Sequence, residues 1–64
     1  MPIARVSIME GRTEEQIAEV IRAVTEALHR SLGAPYESIR VLVDQVPRTQ
    51  WGIGGKTAAA LGKK

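Results

Sequence analysis

Cysteine is absent from the 64 residues, and histidine and tryptophan occur once each. Without cysteine there are no disulfides and no thiolate metal ligands. A single histidine, His29, then argues against a protein-held zinc centre. No apolar run nears the ~20 residues that span a bilayer, and no signal-peptide pattern opens the chain, so a cytoplasmic, soluble protein is expected. G-x-G-x-x-G is missing, and so is the Lys-Ser/Thr that completes a P-loop; Gly52-Ile53-Gly54-Gly55 therefore fits a turn rather than a phosphate cradle. There is no internal repeat and no low-complexity linker. Neither sign of charge dominates: a net charge of +2 and a pI near 9.5 are mild and do not indicate nucleic acid.

What is present is apolar for so small a chain. Residues 1–64 are expected to form one domain. Chains of about 60 residues bury only about 60% of their unfolded surface. Small scaffolds compensate with disulfides, a structural metal or oligomerisation. Composition removes the first two, and a 44% apolar fraction exceeds what this chain can hide alone. A homo-oligomer is expected, with sites assembled across subunits.

The elements follow from periodicity. Residues 2–8 alternate, Ala4, Val6 and Ile8 on one face and Ile3, Arg5 and Ser7 on the other, a strand pattern. Glu10-Gly11-Arg12 breaks it. Thr13 and Gln16 make a capping box, and Glu14 and Glu15 suit the positive end of a helix. Ile17, Val20, Ile21, Val24, Leu28 and Leu32 recur at helical spacing, with Glu26 and Arg30 as an i,i+4 pair on the solvated side. Gly33 suits the helix C′ position and Pro35 stops it. Ile39 to Val46 reads as a second strand. A helix of about 20 residues between two strands has the length of a parallel crossover. After Pro47, residues 51–55 are expected to turn into a short hairpin. Lys56 to Leu61 is expected to form one helical turn, and Gly62-Lys63-Lys64 a loose tail. The fold class is α+β: a β-α-β subunit with parallel strands, one long helix and a C-terminal hairpin.

Four residues carry candidate chemistry. Methionine before proline is normally trimmed, so Pro2 becomes a free secondary amine with a lone pair. The reference α-amino pKa of roughly 7.7–8 lies close enough to neutrality for a general base. Arg12 sits at the strand-to-helix junction and Arg40 near the start of the second strand. Guanidinium forks pair bidentately with carboxylates, although a lone arginine is most often simply solvated. Parallel strands put Pro2 and Arg40 at one edge and Arg12 at the far end, so convergence of all three needs a second subunit. Trp51 offers an apolar wall against water or an interface side chain. His29 and Met9 read as structural, and Tyr36 as a loop or interface aromatic.

In order, Pro2-Ile3-Ala4, the segment Glu10 to Gln16, Ser38-Ile39-Arg40-Val41 and Gly52-Ile53-Gly54-Gly55 resemble the 4-oxalocrotonate tautomerase family over essentially the whole chain. The resemblance implies Pro2 as general base, with Arg12 and Arg40 binding substrate carboxylate and carbonyl oxygens from different subunits. Trp51 falls where the family usually has phenylalanine, a departure that bears on pocket size. It further implies a hexamer built as a trimer of dimers. The implied reaction is a cofactor-free enol–keto conversion of a small unsaturated 2-oxo dicarboxylate such as 2-hydroxymuconate. Related hydratases or dehalogenases are an alternative that calls for a further acidic residue; Glu10 and Asp44 are acidic, but neither falls at a matching position, and tautomerisation stays ahead. From another class, a homodimeric ribbon-helix-helix DNA-binding protein would need a second helix where Ile39 to Val46 reads as strand.

Overall fold

Alternating residues make β1 (Ile3–Met9), which pairs in parallel with β2 (Arg40–Val46) in the computed structural model, where residues 1–63 are described. The register sets Ile3 beside Arg40 and Met9 beside Val46. Ala4, Val6 and Ile8 are half-buried, and Ile3, Arg5 and Ser7 are exposed, as the alternation requires. The strand begins one residue later than the sequence pattern suggests, because Pro2 has no N–H to give to a ladder.

The crossover is α1 (Glu14–Leu32). Thr13 accepts from the Gln16 N–H at 3.1 Å, and the Gln16 side chain accepts from the Thr13 N–H at 2.9 Å. Gly33 ends the helix in the left-handed region, φ 69°, where a Cβ would be strained. The expected Glu26–Arg30 pair is replaced. Glu26 instead accepts from the Tyr36 hydroxyl at 3.0 and 3.1 Å, and the ion pair on the helix is Glu19–Arg22 at 2.7 Å. A 3-10 turn over Tyr36–Ser38 carries that phenol back to the helix, and Tyr36 stacks on His29 with ring centroids 3.8 Å apart.

After β2, a 3-10 turn over Arg48–Gln50 leads into the hairpin of β3 (Gly52–Ile53) and β4 (Lys56–Thr57). Gly54 and Gly55 both take positive φ, 61° and 89°, as a type I′ turn demands. The helical turn expected from Lys56 is shorter. Lys56 and Thr57 pair as β4, Thr57 caps, and α2 covers only Ala58–Leu61. The expected loose tail is tied down as far as Lys63, whose N–H donates to Ala58 and whose carbonyl accepts from Arg48 Nε at 2.7 Å; Lys64 lies outside the described residues.

Among the described residues only Ile39 and Ala58 are buried, at 7% and 0% exposure, and α1 buries none of its side chains. Ile3 and Leu42, on the sheet face away from the helix side, stand 60% and 40% exposed. No helix among the described residues is long and apolar enough to cross a membrane.

Candidate functional site

Pro2 lies immediately before β1, and the parallel register brings Arg40 alongside it. The Arg40 N–H donates to the Pro2 carbonyl at 3.0 Å, which fixes the two backbones together at the N-terminal edge of the sheet. Pro2 is half-buried and Arg40 exposed. One guanidinium nitrogen of Arg40, Nη1, donates to the Glu37 carbonyl at 2.7 Å and, more weakly, to that of Ile39 at 3.4 Å. These contacts orient the guanidinium against the Tyr36–Ser38 turn. Among the described residues its other two nitrogens have no acceptor.

Arg12 lies at the opposite edge. The Glu10 N–H continues the ladder to the Val46 carbonyl at 2.9 Å, and then Gly11 turns the chain with φ 114°, a conformation that favours glycine. Arg12 follows, just ahead of the Thr13 cap. The strand between the two edges rises about 3.3 Å per residue, so the ends of β1 stand roughly 20 Å apart. Within one chain Pro2 meets Arg40 and does not meet Arg12.

A cavity of about 310 Å³ opens at the Arg12 edge, lined by Met9, Glu10, Gly11, Arg12 and Arg48. Met9, expected only to pack, borders it. Arg48 is half-buried, and sequence reasoning gave it no role because no motif surrounds it. The available signal is its spacing. Arg48 opens a 3-10 turn initiated by Pro47 and closed by Trp51, one turn later. Trp51 is half-buried, and its carbonyl accepts from the Ala58 N–H at 2.8 Å, which ties this turn to α2. Among the described residues the only ion pair is Glu19–Arg22 on the exposed helix surface, so Arg12, Arg40 and Arg48 carry unpaired positive charge. No three His, Cys, Asp or Glu side chains among the described residues gather as metal ligands. The arrangement thus supplies cationic forks at both sheet edges, suited to carboxylates and to enolate oxygen.

The family model described as tautomerase enzyme matches residues 2–61. The chain is 49% identical to the 2-hydroxymuconate tautomerase of Stutzerimonas stutzeri over 63 residues, 98% of this chain and 100% of that protein. Its structure is similar to that of 4-oxalocrotonate tautomerase isozymes from Methylibium petroleiphilum, with a TM-score of 0.94, 50% identity, and coverage of 97% of this chain and 100% of that one. It is similar also to a heterohexamer 4-oxalocrotonate tautomerase from Chloroflexus aurantiacus J-10-fl, with a TM-score of 0.90, 36% identity, and coverage of 95% and 98%.

Proposed function

The chain belongs to the tautomerase family of enzymes, and we propose that it interconverts enol and keto forms of a 2-hydroxymuconate-like dicarboxylate, using Pro2 as general base. The observation that carries this reading is the 3.0 Å bond from the Arg40 N–H to the Pro2 carbonyl, which holds a guanidinium-bearing residue beside the candidate base. While Met1 is attached, the Pro2 nitrogen is an amide without basicity, so the working form has lost Met1. The free amine takes the acidic proton from the enol oxygen, or from a carbon conjugated to the 2-oxo group, and returns it elsewhere on the dienol. Arg40 stabilises the negative charge that develops on oxygen. Arg12 of a neighbouring subunit holds a carboxylate, in a homohexamer built as a trimer of dimers. The exposed Ile3 and Leu42 on the open sheet face and the heterohexameric relative support that assembly. The strand at Arg40–Val46 occupies the place where a ribbon-helix-helix DNA-binding fold needs its second helix.

The test is an ultraviolet assay of 2-hydroxymuconate ketonisation on protein whose N-terminus is verified by intact mass. Pro2→Ala keeps a primary amine and is expected to lower kcat/KM by roughly 10²-fold, within the range of positioned general bases. Protein that retains Met1 is expected to be inactive. Full activity in the Met1-retaining form would remove Pro2 as the base.

A further inference from the structure

Two guanidinium groups, Arg12 and Arg48, line one cavity, and neither is neutralised by an ion pair among the described residues. Glu10 supplies a single carboxylate to that lining. Guanidinium forks that border one cavity are suited to a carboxylate taken up there. From this juxtaposition we infer that Arg48 is a specificity-determining residue: with Arg12 it grips the far carboxylate of a dianionic substrate. The inference rests on the proposed role of the Arg12 edge in substrate binding.

The local geometry suits the task. Arg48 Nε donates to the Lys63 carbonyl at 2.7 Å, which restrains the guanidinium. Among the described residues its two terminal nitrogens have no acceptor, so one edge of a preset fork stays available. A planar fork held this way loses little rotamer freedom on meeting a carboxylate, and a bidentate pair follows naturally. The 3-10 turn over Arg48–Gln50, entered from Pro47, holds the Arg48 backbone in place beside the cavity. A monocarboxylate leaves this second cation unused; a dicarboxylate of matching length does not.

The prediction is a change in selectivity rather than a uniform loss. For Arg48→Gln, the ratio of kcat/KM for 2-hydroxymuconate to that for the monocarboxylate enol lacking its far carboxylate falls about tenfold, carried by KM, as expected for losing a charged hydrogen bond. Arg48→Lys recovers part of that ratio because it restores the charge without the fork. A ratio equal to that of the unsubstituted chain overturns the inference, and so does an equal loss on both substrates, which marks Arg48 as merely holding Lys63. A second measurement needs no variant and no turnover. In the unsubstituted protein, adipate is expected to shift the Arg48 and Arg12 Nε–H resonances in nitrogen-proton correlation spectra, whereas the uncharged hexane-1,6-diol leaves both unmoved. An Arg48 resonance indifferent to adipate overturns the inference. Loss of ketonisation with the adipate shift intact counts against the Pro2 chemistry and not against Arg48.

Discussion

The Tyr36 hydroxyl donates to both oxygens of Glu26, and this is where a titration reads the fold directly. The hydrogen bond to the Glu26 carboxylate raises the phenol above its usual value of 10.0, with desolvation and the carboxylate charge acting in the same direction. A phenol raised in the folded state contributes stability that is fully present below its unfolded value and is lost as pH climbs through the folded one. Tyr36 is the only tyrosine, so tyrosinate absorbance reports it alone. The expected midpoint lies above 10.0 and returns towards it in Glu26→Gln. A midpoint unaffected by that substitution would detach Tyr36 from the helix. On the helix surface the Glu19 carboxylate is held below its usual range by the hydrogen bond from Arg22, but both groups are exposed and contribute little to stability.

At the scale of elements, α1 depends on its start. Its side chains are at most half-buried within this chain, so the reciprocal Thr13–Gln16 bonds carry weight that core packing usually carries. Thr13→Ala is expected to lower stability by about 1 kcal/mol, read as a fall in the denaturant midpoint at constant slope. This cap, the Gly33 stop, both long strands and their parallel pairing were legible from spacing, because each follows from residues close in sequence. What escaped was set by partners further away. Glu26 favours Arg30 on a helix considered alone, yet Pro35 turns the chain so that Tyr36 reaches Glu26 from ten positions on. The tail looked loose because its anchor, Arg48, lies fifteen residues earlier. The candidate site divides similarly. Pro2, Arg12, Arg40 and Trp51 belong to ordered motifs, whereas Arg48 shares a cavity with Arg12 only once the sheet has formed.

The whole molecule is flat and long, 42 × 23 × 13 Å, and its thinnest dimension is that of one helix laid on one sheet. Its radius of gyration is 14.5 Å. A compact domain of this length has about 11 Å. Its accessible surface of 4743 Å² likewise exceeds, by roughly 700 Å², that of an average monomeric protein of its mass. Among the described residues Ile39 and Ala58 are the buried apolar ones, far less core than normally offsets chain entropy. These dimensions describe a building block.

The length of β1 between Pro2 and Arg12 has a genetic consequence. On the proposed roles, each chain lends its base to one cleft and its Arg12 to another, so the unit of function is a junction and not a polypeptide. Two defective chains are then complementary. Pro2→Ala and Arg12→Ala proteins, each impaired alone, are expected to regain ketonisation when refolded as a mixture, because some junctions join an intact proline to an intact arginine. Activity of the mixture equal to the sum of its parts would mean that base and arginine serve the same chain.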